Sequence, residues 1–428
     1  MQIESTQKLQ IKKYRLNFPM PLIKLLIIFF GLILLLRRNW LLGHCLFLAS
    51  LTLALWQGIG PIRIFLIFLK AISDAQNLLL SCIILSILIF AHSLSKTGQL
   101  KRIIKAYQGI FPWPRFNLMT LPALIGLLPM PGGAVFSAPL IEGLGKQYGI
   151  SYVRQAIINY WFRHIWEYTW PLYPGLLLAS HLGEVEIYRL IYIQLPLTIM
   201  AFFLGYLFYL SRPLDIHLSN REGNFFNFLK EMAPILIAVI FAISFEAKIH
   251  FLPREIAIAV AVWIGIFWVW LKQRISISQL KAIFGDSTLI KVLYAVLSIF
   301  CFKEIINESN IVLDASHLLT KCHIPLFLIA SVIPFLVGLV IGLTLAFVGT
   351  TFPLITALIH ALHVPVLPYI SLAFSCGVIG VLLSPMHLCF VLSLEYFHVP
   401  FDETHKRLYL PCISMILFIF MWFLFLIF

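Results

Sequence analysis

Apolar runs alternate with short polar breaks from one end of the chain to the other. They fall at residues 22–36, 41–56, 59–72, 77–95, 117–141, 153–181, 188–210, 232–246, 255–271, 287–302, 324–359, 366–394 and 409–428. A bilayer core of about 30 Å takes about 20 apolar residues in helical form. The pattern therefore predicts an all-α polytopic membrane protein with about 10–11 transmembrane helices. The 59–72 run carries Arg63 and Lys70, and it also fits an amphipathic helix lying at the membrane surface.

Two runs cannot stay helical throughout. Residues 121–139 read LPALIGLLPMPGGAVFSAP, and residues 342–355 read GLTLAFVGTTFPLI. Proline removes a donor and clashes one turn back, and lipid offers no water to the freed backbone. Each run is expected to form a re-entrant hairpin, one over 117–141 and one over 324–359. Each is followed by a long run broken near its middle. The first, 153–181, contains NYWFRHIWEYTWPLYPG; the second, 366–394, contains GVIGVLLSPMHLC. Pro385 lies 214 positions after Pro171, which is half of the 428-residue chain, and Thr351 lies 218 after Gly133. Side-chain identity between the halves is slight, so the repeat is one of architecture. The expected organisation is a basic N-terminus with an extra helix (1–40), a first repeat (41–211), a cytoplasmic linker (212–231) and a second repeat (232–428).

Charge suggests how the repeats are oriented. With the basic N-terminus inside and 59–72 crossing, the loop holding Lys96, Lys101, Arg102, Lys105 and Arg115 is cytoplasmic. The loop with Glu184 and Glu186 then falls outside, and the loops around Arg212 to Lys230 and Lys272 to Lys281 fall inside. The two units are thereby inverted, as in secondary transporters. Arg37-Arg38 and the Lys248–Arg254 loop are exceptions to the rule. Multi-pass insertion in the inner (plasma) membrane is expected.

Composition excludes the soluble classes. Hydrophobic residues make up 61% of the chain and charged residues only 11%, against about 25% charged in soluble domains. The net charge of +13 sits in loops and not on a soluble module with stacking aromatics, so no nucleic-acid partner is expected. The seven cysteines form no CxxC and read as small buried residues. Neither a metal centre nor a cofactor is expected. There is no HExxH, and EGLGKQYG lacks the first glycine of a phosphate-binding loop, so the chain does not read as an enzyme.

The chemistry concentrates at the breaks. Pro171 and Pro174 leave the carbonyls of Glu167 and Trp170 without their helical donors. Arg163 and Glu167 are four apart, hence on one helical face. Charges inside a span pair or face water, so two readings stand. One is an internal salt bridge; in the other, Arg163 counters an anionic substrate and Glu167 carries a coupling proton or ion. His164 beside them reads as an interior hydrogen-bonded ring or a titrating group. Pro131, Gly132 and Gly133 can turn backbone N–H groups toward an anion or simply allow close packing. Trp170 joins this first break. Gly349, Thr350, Thr351, Ser384 and His387 supply the corresponding small polar groups of the second half, although hydroxyls in a span often bond their own backbone.

The stretches LLPMPGGAVFSAP, NYWFRHIWEYTWPLYPG and GVLLSPMHLCFVLSLEYF resemble an uncharacterised family of prokaryotic integral membrane proteins. That family is grouped with the ion-transporter superfamily, alongside arsenite, dicarboxylate/citrate and gluconate permeases. The resemblance implies two inverted repeats around a substrate. Pro131 to Ala134 and Gly349 to Thr351 then resemble hairpin tips, and Trp170 to Gly175 and Ser384 to His387 resemble unwound segments. The Ser-Asn-Thr hairpin signature of the dicarboxylate carriers is absent. The expected partners are the lipid bilayer and a small-molecule or ion substrate, with a homodimer left open. The expected function is secondary active transport; a membrane enzyme or a structural subunit with a buried Arg/His/Glu cluster is the alternative.

Overall fold

A chain this apolar has to satisfy its backbone internally, and the helix does so within one segment. The computed structural model describes residues 20–107, 110–130, 132–211, 224–248, 254–309 and 311–428, and these contain helices and no strand. Residues 1–19, Pro131 and most of the expected linker (212–223) lie outside the described residues.

Five described helices are long and apolar enough to cross a membrane: Ala75–Lys96, Ile187–Leu210, Ile256–Gln273, Thr344–Ala361 and Phe401–Ile427. Among the described residues, several other apolar runs are divided by breaks or are short, and fewer helices meet that length and composition than the hydropathy pattern predicts. Leu42–Trp56 is one of the short ones. Pro61–Ser73, the 59–72 run, has 13 residues and rises about 20 Å. Its charges point outward, Arg63 to Glu308 at 2.7 Å and Lys70 to Glu304 at 3.5 Å.

Eight helices build the centre. In the first half these are α1 (Pro114–Gly126), α2 (Ala134–Gln147), α3 (Tyr152–His164) and α4 (Pro174–Leu182). In the second half they are α5 (Leu326–Ile341), α6 (Thr344–Ala361), α7 (Val366–Leu382) and α8 (Leu388–Phe397). A 3-10 turn, Ile165–Tyr168, extends α3. The two sets match in register. Val366 starts α7 214 positions after Tyr152 starts α3, Leu382 ends it 214 after Tyr168, and Leu388 starts α8 214 after Pro174.

Within each half the helices pack locally, α1 and α2 on α3, and α5 and α6 on α7. The α5–α7 contact brings backbones together: a Cβ at Gly338 would overlap the Gly377 carbonyl, and one at Gly380 the Phe335 carbonyl. The halves then exchange arms. α2 packs on α8, and α6 packs on α4. α3 also lies against α8, so the two breaks face each other in the interior.

The second turn is not where the sequence places it. Gly349, Thr350 and Thr351 lie in mid-α6, and both threonines are at most 1% exposed. Thr350 Oγ1 donates to the Ala346 carbonyl and Thr351 Oγ1 to that of Phe347, both at 2.7 Å. These back-bonds occupy the hydroxyls within the helix, and Gly349 packs on Ile299. Pro353 is carried inside the helix, as are Pro122, Pro139, Pro196 and Pro334 in theirs. The chain instead turns at Gly342 and Leu343. Gly342 caps α5 with φ +70°, a left-handed conformation open to glycine at low cost.

Candidate functional site

The first break begins where α3 tightens. Its last residues, Arg163 and His164, are followed by the 3-10 turn carrying Glu167, then by Thr169 to Tyr173 before Pro174 opens α4. Of the two carbonyls expected to be free, that of Trp170 accepts from Tyr173 N at 3.0 Å. The 3-10 turn rotates residues by about 120° in place of 100°, so the i, i+4 alignment fails. Arg163 and Glu167 accordingly form no ion pair with each other. This removes the internal salt bridge as the explanation for their burial.

Arg163 is 2% exposed and turns toward the first hairpin. Its Nη2 donates to the Met130 carbonyl at 3.0 Å, while Nε and Nη1 have no partner. A Cβ at Gly133 would overlap the guanidinium, so glycine is needed there for the side chain to lie flat against the turn. Gly132, at φ +73°, faces Leu388 and Leu392 of α8. The flanking Pro131 lies outside the described residues. Other buried donors near the break also lack partners: Trp166 Nε1, Tyr168 OH and Trp170 Nε1. Trp170 packs its ring against Trp166, with centroids 6.1 Å apart. A buried guanidinium with two unpartnered nitrogens is suited to an anion.

Glu167 is 3% exposed and accepts from Thr344 Oγ1 at 3.2 Å, the first residue of α6. Tyr160 OH donates to the Leu382 carbonyl at 2.9 Å, satisfying an acceptor at the end of α7. Asn159 Nδ2 donates to the Ala134 carbonyl and to Ser393 Oγ, at 3.1 and 3.0 Å, tying α2, α3 and α8 together.

The second break spans Leu383 to His387. Ser384 Oγ accepts from Met386 N at 3.2 Å and lies against Gly342. His387 Nδ1 meets the Gly342 carbonyl at 2.9 Å, so this hairpin turn touches its own break as the first does. His164 Nδ1 meets the Tyr160 carbonyl at 2.6 Å. A carbonyl can only accept, so both Nδ1 atoms carry a proton. The remaining nitrogens, His164 Nε2 and His387 Nε2, lie 3.0 Å apart. One ring nitrogen of each histidine and Cys389 Sγ all fall within 4.8 Å of one another, and all three residues are buried.

Of the residues singled out from sequence, the structure brings together Gly132, Gly133, Arg163, His164, Glu167, Ser384 and His387, with Trp170 at the margin. It leaves Gly349, Thr350 and Thr351 out. Thr344, Gly342, Tyr160 and Cys389 were missed. Cys389 carries a weak signal, the His-Leu-Cys pattern at 387–389 beside a break. The cavity next to His164, lined by Trp161, Ile165, Tyr168, Ala201, Leu382 and Met415, measures about 10 Å³, near the size of a single water site.

No curated protein matches the chain. The family described as protein of unknown function (DUF401) matches residues 21–428, and the chain belongs to that family.

Proposed function

We propose that this protein is a secondary transporter that moves a small anionic solute across the membrane by alternating access, coupled to an ion or a proton. The carrying observation is Arg163: a buried guanidinium with two nitrogens unpartnered, held between the first hairpin turn and facing breaks. A protein built only for stability gains little by burying such a charge, whereas an anion that enters would complete its hydrogen bonds. Glu167 is the candidate coupling group, held by Thr344 of the other half.

The 214-residue register and the exchange of arms support two inverted repeats, with α1–α2 and α5–α6 as re-entrant hairpins and α3–α4 and α7–α8 as broken helices. That architecture favours the superfamily of arsenite, dicarboxylate/citrate and gluconate permeases. Relative movement of the two halves would expose the site to each side in turn. On loop charge, the N-terminus is cytoplasmic and the membrane is the inner one.

The test is a thermal-shift screen of purified protein against organic anions, oxyanions, Na⁺ and pH, followed by uptake of the stabilising solute into proteoliposomes. Arg163→Ala and Glu167→Gln are expected to abolish uptake while still inserting as monodisperse protein. Normal uptake by both variants would overturn these roles.

A further inference from the structure

The facing histidines raise a question of valence that the transport reading leaves unanswered. Each ring spends its Nδ1 proton on a backbone carbonyl, His164 on Tyr160 and His387 on Gly342. If both rings are neutral, two Nε2 lone pairs point at one another across 3.0 Å. Something positive has to lie between them. A proton would need only the two nitrogens. The third donor, Cys389 Sγ, lies within 4.8 Å and is contributed by the same buried interior.

We infer that His164, His387 and Cys389 form a binding site for a d10 metal cation, zinc or copper(I), bridging the two broken helices. Three features match what such a site requires. Imidazole with thiolate is a donor set for these ions. The carbonyl bonds at Nδ1 fix ring orientation and leave Nε2 to the metal, as the outer partners of metal-bound histidines do. In tetrahedral geometry, bonds of about 2.0 Å to nitrogen and 2.3 Å to sulfur set the donors about 3.3–3.6 Å apart. The observed separations, 3.0 Å between the two nitrogens and no more than 4.8 Å to the sulfur, bracket that arrangement. With three protein ligands, the fourth position is open to a solute or water.

The ligands come from both halves. His164 ends α3, His387 ends the second break, and Cys389 sits in the first turn of α8. A bound ion would therefore clamp the two breaks to each other. This inference does not rest on transport, and metal content is read separately from uptake.

The experiment is elemental analysis of the purified, tag-free full-length protein, with cobalt(II) as a spectroscopic probe after chelation. The wild type is expected to retain about one zinc or copper per chain. With cobalt it should show a sulfur-to-metal charge-transfer band in the near ultraviolet. Cys389→Ser should lose that band, and His387→Gln should weaken metal binding at least about tenfold. Background metal in the wild type together with no cobalt band overturns the site and leaves the histidines sharing a proton. Unchanged binding and an unchanged band in Cys389→Ser overturn it as well. Should a variant fail to elute as a single species, the wild-type cobalt spectrum decides alone.

Discussion

Thr344 donates its hydroxyl to Glu167 across 3.2 Å, joining the first residue of α6 to the 3-10 turn that follows α3. The two residues are 177 positions apart, and the bond ties one half's hairpin to the other half's break. Thr344→Val keeps the shape and deletes the donor. It is expected to lower stability by about 1–3 kcal/mol, the range for leaving a buried acceptor unpartnered. Thr344→Ser should restore most of the loss. Thermal unfolding in detergent reads both, and equal melting temperatures for the valine variant and the wild type would refute the bond's importance.

Arg163→Met separates stability from function. The guanidinium is buried with one of its nitrogens bonded, so an apolar side chain of similar length should leave the melting temperature unchanged or raised. Solute uptake should disappear in the same protein. A large fall in melting temperature would mean that Arg163 is a structural strut.

Gly133→Ala and Gly143→Ala form a matched pair. A Cβ at Gly133 would overlap the Arg163 guanidinium, whereas one at Gly143 meets nothing within 4 Å. Gly133→Ala is expected to displace the arginine, impair solute binding and cost about 1–3 kcal/mol. Gly143→Ala should bind normally. Equal solute-induced thermal shifts in the two variants would remove Gly133 from the site.

Gly342 can be tested against Gly58, since both have positive φ, +70° and +74°. Alanine in that conformation costs about 1–2 kcal/mol at either position. At Gly342 the added Cβ also crowds His387 N and Ser384 Oγ, while at Gly58 it meets open space. Gly342→Ala should therefore unfold at the lower temperature of the two.

The orientation read from loop charge depends on Pro61–Ser73 crossing the membrane. Cysteines placed at Gly60 and Gln76, in a background lacking the exposed Cys82 and Cys322, report it directly. Labelling of the two from opposite sides is expected. Labelling from one side would reverse the placement of every later loop.

The sequence located the breaks well where two signals coincided. Pro171 with Pro174, and Ser384 with Pro385, mark interruptions that the structure contains. A lone proline is weaker guidance, because Pro122, Pro139 and Pro353 sit inside helices whose neighbours absorb the lost bond. The Gly-Thr-Thr-Pro run misled for a related reason, as the threonine hydroxyls bond back into their own helix. The true turn depends on one glycine, Gly342, with little in the flanking composition to mark it. Helical spacing also paired Arg163 with Glu167, and the local change to a 3-10 turn separated them. Cys389 is only weakly marked, because a cysteine in an apolar run is ordinarily packing and one of its two partners, His164, lies on a distant helix.

The exchange of arms has a consequence for biogenesis. Glu167, Asn159 and Tyr160 find partners in Thr344, Ser393 and Leu382, all made some two hundred residues later on the ribosome. The nascent first half must wait in the bilayer with a polar seam uncovered, so its insertion calls for a shielded environment until the last helices are synthesised. Expressed as separate polypeptides, the halves should be degraded singly and recovered together.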